Sequence, residues 1–139
     1  MTSTLRRRGW LCAATALIAL FIALSAAPAW AGASSAYPDV NPLSGDTDAI
    51  HEGGKLYSKW CRQCHGRKAD GVSQRFGKYS GDLRKFWRGY PEFVVIVLNG
   101  RPKKKMPPWG GVLDEDEIAQ IAAYLETLAI EGANWKRMR

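Results

Sequence analysis

Soft ligands and reactive side chains are scarce in this sequence: three cysteines, two histidines and three methionines in 139 residues. The scarcity excludes whole classes of protein. Apart from Cys12, the cysteines are Cys61 and Cys64, three positions apart, where a disulfide would close a tiny loop and constrain the unfolded chain little. A structural zinc site asks for four nitrogen or sulfur ligands, and the sequence has no second C-x-x-C and no H-x-x-x-H pair. No strand–helix alternation surrounds the cysteines, which sets aside a thioredoxin-like dithiol. Internal repeats and low-complexity blocks are absent too, and the length suits one small domain at most.

What is present begins with a secretory pattern. Arg6, Arg7 and Arg8 precede an apolar run over 11–27, and Pro28-Ala29-Trp30-Ala31 ends in the small-x-small pattern that a signal peptidase accepts. Residues 1–31 therefore read as a signal peptide, with export to the periplasm, and Cys12 leaves with it. The alternative is an uncleaved anchor, since the apolar run approaches bilayer-spanning length. Loss of the three arginines lowers the net charge from +7 to +4. The remaining charge is segregated: residues 67–106 hold eleven bases and three acids, and residues 107–131 hold six acids and no base. Such asymmetry suits docking on an acidic partner, and a well-solvated surface is the bland alternative. Export argues against nucleic acid as the partner.

Residues 32–45 read as an extended, proline-punctuated lead, followed by a domain over 46–131 and a basic tail over 132–139. Asp46 offers an N-cap, after which Ile50, Gly53, Gly54, Tyr57 and Trp60 share one helical face. Two interior glycines each cost about 1 kcal/mol relative to alanine, so that face is expected to meet another backbone closely. Asp114 with Glu117 forms a capping-box-like start to a second helix carrying Ile118, Ile121, Ala122, Leu125 and Leu128, with Gly132 as its stop. Between them, residues 66–82 read as loop, and 82–89 as a short helix with Phe86 and Trp87 turned inward. The run over 93–98 has strand propensity, but Pro91 and Gly100 at its ends indicate a helix. In "NGRPKKKMPPWGG", over 99–111, Pro107 and Pro108 stiffen a loop directly after Met106.

With zinc and dithiol chemistry set aside, "CRQCH" over 61–65 reads as covalent haem attachment, for which C-x-x-C-H is the signature. Two thiols one turn apart can reach two vinyl groups on one porphyrin edge, and His65 is then held against one face as proximal iron ligand. A second axial ligand is required. Met138 stands in a charged tail, whereas Met106 sits in the stiffened loop, far enough from His65 in sequence to reach the opposite face. Met106 is the expected distal ligand, and His51 is the alternative.

From about residue 46 to 128 the sequence resembles class I monohaem cytochromes c. Gly53 and Tyr57 stand eight and four residues before Cys61 as in that family's N-terminal helix, "QIAAYL" over 120–125 is similar to its C-terminal helix, and Met106-Pro107 matches its distal loop. The resemblance implies an all-α bundle of about four helices around one covalently bound haem c, with the first and last helices crossing. The segments "FGKYSGDLRKFWRGYPEFV", "MPPWGG" and "ANWK" further resemble small bacterial cytochromes c that serve PQQ-dependent (quinoprotein) alcohol dehydrogenases. That likeness implies one-electron transfer without catalysis, between such a dehydrogenase as donor and a terminal oxidase or another cytochrome as acceptor. Arg101, Lys103, Lys104 and Lys105, beside the distal ligand, are the expected docking residues. Trp87 and Trp109 are assigned to core packing by default. The rivals are a membrane-anchored or tightly bound subunit of a larger oxidoreductase, and a haem sensor or enzyme if Met106 leaves the iron open.

Overall fold

The computed structural model describes residues 36–135. The expected signal at 1–31, Cys12 and Met138 lie outside the described residues. Among the described residues four α-helices form: α1 Thr47–Trp60, α2 Arg62–His65, α3 Tyr90–Asn99 and α4 Glu115–Thr127. The helical architecture is as expected, with one addition in the loop read over 66–82. There β1 (Val72–Ser73) and β2 (Gly77–Lys78) pair antiparallel, Val72 against Lys78 and Ser73 against Gly77.

The two long helices start where their caps dictate. Asp46 accepts from the Ala49 amide at 2.8 Å. Asp114 accepts from Glu117 N–H at 2.8 Å while the Glu117 carboxylate accepts from Asp114 N–H at 3.1 Å, a full capping box. The helices cross at Gly53, where a Cβ would fall inside the Gln120 carbonyl of α4. That explains a glycine which helix propensity disfavours. Gly54 next to it faces the Tyr124 ring, 3.3 Å from an added Cβ. Around the crossing, Tyr57, Ile118, Ile121 and Leu125 are almost fully enclosed, each contributing roughly 1.5–3 kcal/mol through removal from water.

Helix α3 carries the run of strand-like residues. Pro91 stands in its first turn, Gly100 (φ 65°) ends it, and Phe93, Val94 and Val97 are buried. Elsewhere the structure corrects the expectations. The short helix over 82–89 is only a 3-10 turn, Leu83–Lys85. Phe86 is extended after it (φ −64°, ψ 127°); it packs inward on Phe93 and Trp135 while Trp87 is 50% exposed under the Arg88 guanidinium. Helix α4 ends at Thr127, before Gly132. The tail begins inside the packed body: Gly89 and Tyr90 N–H donate to the carbonyls of Asn134 and Trp135 at 3.1 and 2.8 Å. Within the lead, buried Asn41 donates its side-chain amide to the Ala119 carbonyl at 3.0 Å.

The crossing makes a pair of substitutions diagnostic. Gly53→Ala should lower unfolding free energy by about 2 kcal/mol or more, because backbone stands in the way, even though alanine favours the helix by about 1 kcal/mol. Gly54→Ala should stay within about 1 kcal/mol of the parent, because a tyrosine ring can shift and the helix gains propensity. Urea unfolding midpoints separate the two outcomes.

Candidate functional site

Helix α1 ends at Trp60, and Cys61 caps it while opening α2. Cys64 and His65 N–H donate back to the Cys61 carbonyl at 3.1 and 2.9 Å, so both cysteines and His65 share one turn. Gly66 (φ 81°) then turns the chain, in a space where a Cβ would strike the Val72 carbonyl. Buried Tyr57 braces this turn from below, its hydroxyl donating to the Gly66 carbonyl at 2.7 Å. Burial pushes the tyrosine far above its ordinary pKa, so the phenol stays a donor.

The cysteines are unbridged and partly exposed. Burial, with Cys64 close by, pushes the Cys61 thiol up to about 12. A redox dithiol depends on a depressed thiol pKa, and Cys61 moves in the opposite direction. Among the described residues no group of three or more His, Cys, Asp or Glu side chains gathers to hold a metal ion.

His65 is fixed by a residue that nothing in the sequence singles out. Ser80 Oγ donates to the Cys64 carbonyl at 3.2 Å and lies 3.0 Å from His65 Nδ1. A hydroxyl has one proton. Given to the Cys64 carbonyl, that proton leaves Ser80 able to accept from Nδ1–H, the tautomer in which the Nε2 lone pair is free. Burial lowers the imidazole pKa and keeps the ring neutral, with a Gly81 backbone bond opposing in part. A neutral ring with Nδ1–H engaged and Nε2 open is the form that binds a metal. Ser80 is fifteen residues from His65, so no local pattern announces the pairing.

Met106 lies at the neck of a closed loop. Arg101 N–H donates to the Met106 carbonyl at 2.8 Å and Met106 N–H donates to the Arg101 carbonyl at 3.2 Å. Between them a 3-10 turn, Pro102–Lys104, leads into Lys105 in left-handed conformation (φ 59°). The loop is stapled to α3 by Trp109 and Gly110 N–H, donating to the Val97 and Leu98 carbonyls at 3.0 Å each. Met106 and Trp109 are partly buried against the same apolar cluster as Trp60 and Cys61. The Trp109 ring meets the Trp60 ring at 5.5 Å, next to the first cysteine. The loop is thereby joined to the cysteine turn. Lys103, Lys104 and Lys105 are exposed at its tip and Arg101 is half-buried at its neck. His51, the alternative ligand, is exposed on α1 with Nδ1 3.5 Å from Glu52.

Two free thiols, an imidazole and a thioether on a braced loop suit a covalently held haem. The donor set fits the group.

Residues 48–125 match the family model described as cytochrome c oxidase, cbb3-type, subunit III. The chain is 36% identical over 105 residues to the quinohemoprotein alcohol dehydrogenase ADH-IIG of Pseudomonas putida, a match covering 72% of this chain and 14% of that enzyme. In the solved structure of that enzyme the likeness has a TM-score of 0.53 at 34% identity, over 66% of this chain and 13% of the other. The chain therefore spans only a small part of that relative's length. It is 31% identical to cytochrome c-551 of Bacillus subtilis, over 78% of this chain and 91% of that protein. Cytochrome CL of Methylophaga aminisulfidivorans shares the fold, with a TM-score of 0.53 at 24% identity over 63% of this chain and 60% of the other.

The brace under the turn gives a direct check. Tyr57→Phe leaves the Gly66 carbonyl with only the longer bond from Ala69 N–H, at 3.3 Å, and should cost about 1 kcal/mol, read as a fall in the urea midpoint.

Proposed function

This chain belongs to the cytochrome c family, and on that premise we propose that it is an exported single-electron carrier whose iron is held between His65 and Met106. Membership of the family implies haem c bound covalently; when bound it supplies an iron that takes up and releases one electron. Cys61 and Cys64 would form its thioethers, and His65 nitrogen and Met106 sulfur would hold the iron, a pairing that raises the potential. With both in place, no site would be left for a substrate. The chain's own work is to orient the imidazole through Ser80, hold Met106 through the Arg101 hydrogen bonds, and keep water away with Trp60, Trp109 and Leu98.

The observation that carries this reading is the C-x-x-C-H turn, with Cys61 and Cys64 unbridged and His65 Nδ1 held 3.0 Å from Ser80 Oγ. Export through residues 1–31 to the periplasm supplies the compartment. The likeness to part of a quinohemoprotein alcohol dehydrogenase supports a dehydrogenase of that type as electron donor, with a terminal oxidase or another cytochrome as acceptor. Arg101, Lys103, Lys104 and Lys105 form the basic surface that receives an acidic partner. Among the described residues no helix is long and apolar enough to cross a membrane.

Oxidised and reduced absorption spectra with a pyridine haemochrome test attachment, and a colourless matured chain would sink the proposal. Met106→Ala should abolish the weak red methionine-to-ferric-iron band, lower the reduction potential, and allow carbon monoxide to bind the reduced protein. Unchanged spectra in that variant would remove Met106 as a ligand.

Docking makes a separate prediction. Replacing Lys103, Lys104 and Lys105 together by glutamine should slow reduction by an acidic partner roughly tenfold at low ionic strength. The difference should shrink as salt approaches about 0.1 M, where the screening length is about 10 Å. Stopped-flow rates against salt concentration read both effects.

A further inference from the structure

On the outer side of the cysteine turn, three arginines line one small cavity. It measures about 270 Å³, is partly open to solvent, and is bounded by Ser58, Arg62, Gln63, Arg67, Gln74 and Arg75. Its walls come from the last turn of α1, from α2 and the residues after it, and from the tip of the β1–β2 hairpin. Buried Ser73 locks these pieces together. Its hydroxyl donates to the Gln63 carbonyl at 2.6 Å and accepts from Arg75 and Phe76 N–H at 3.2 Å each. The Arg75 guanidinium lies 5.3 Å from the centre of the Phe76 ring, and that ring packs on Tyr79 at 4.8 Å. The hairpin tip therefore cannot swing away from α2 without breaking enclosed hydrogen bonds.

The ion pairs among the described residues engage His51, Lys55, Arg84 and Arg88, and none engages Arg62, Arg67 or Arg75. Three arginines lining one cavity, none of them paired with a carboxylate, make a positive surface that an anion would neutralise. Their planar forks match the oxygens of a carboxylate or phosphate, and the Gln63 and Gln74 amides with the Ser58 hydroxyl add further donors. A carboxylate brings one charge and two oxygens to this set. Phosphate near neutral pH brings between one and two charges and more acceptor oxygens, and so answers three arginines better.

We propose that this cavity binds a phosphate-class oxyanion. The site is separate from the distal basic loop and depends on none of the metal-ligating side chains.

The test titrates inorganic phosphate into the matured full-length protein, followed by calorimetry and by proton–nitrogen NMR of the arginine Nε–H groups. Sodium chloride at matched ionic strength is the control. Saturable one-to-one binding is expected, with shifts confined to Arg62, Arg67, Arg75 and the amides of residues 73–76. The Arg67→Gln/Arg75→Gln variant, which leaves the C-x-x-C-H motif intact, should bind roughly tenfold more weakly or worse. Arg75→Lys, which keeps the charge and loses the fork, should weaken binding less, and it serves if the double variant does not fold. Lys103→Gln/Lys104→Gln should bind as the parent does. A linear response that chloride reproduces, or undiminished binding in the arginine variants, would overturn the site. Neither readout uses the visible spectrum. A colourless chain that binds phosphate would sink the haem proposal alone, and a red chain indifferent to phosphate would sink this one alone.

Discussion

Helix α1 can approach α4 only because Gly53 has no side chain where the Gln120 carbonyl passes. Any other residue would lever the helices apart and open the layer formed by Tyr57, Ile118, Ile121 and Leu125. The crossing also sets the cysteine turn, since Cys61 is the cap of α1 and Tyr57, one turn inside it, holds the Gly66 carbonyl. Packing between the first and last helices thus becomes the position of His65. Few links separate the two, and each is a hydrogen bond or a backbone contact.

Around that frame, loops do the orienting. Ser80 arrives from the far side of the hairpin to meet both the Cys64 carbonyl and His65 Nδ1. The Arg101–Met106 pair closes a loop whose exit is stapled to the end of α3. A side chain at Gly100 would collide with the backbone of Pro107 and Pro108, so the prolines lie flat against the turn that ends the helix. Rigidity here comes from backbone contacts more than from buried apolar area. That suits a metal site whose ligands have to stay nearly still.

Local signals made the helices legible. Asp46, the Asp114–Glu117 pair, and Pro91 with Gly100 each announce an end through chemistry confined to a few residues, and the structure begins or ends helices there. The glycine at 53 was readable as a point of close approach because its helical cost needed a reason. What escaped the sequence is non-local. Trp87 looks like a core residue, yet the extended chain after the 3-10 turn gives the interior to Phe86. Residues 133–135 look like the start of a charged tail, yet the carbonyls of Asn134 and Trp135 complete the first turn of α3, and Trp135 fills the space between Phe86 and Phe93. Ser80 and Ser73 are ordinary loop serines until the fold supplies their partners. C-x-x-C-H and a methionine before two prolines stand in the sequence as local motifs. The contact of Ser80 with His65, fifteen residues away, does not.

Lys105 sits in the left-handed region at φ 59° immediately before Met106, a conformation that costs a non-glycine residue roughly 1–2 kcal/mol. The reversal there sends the lysines outward and returns the following backbone to the neck, where the two Arg101–Met106 hydrogen bonds shut it. On the proposed function, recognition and redox tuning would therefore be built on adjacent but mechanically separate pieces of chain. Lineages carrying this loop could exchange the charges at its tip to follow a changing partner, while the sulfur behind the neck kept its station.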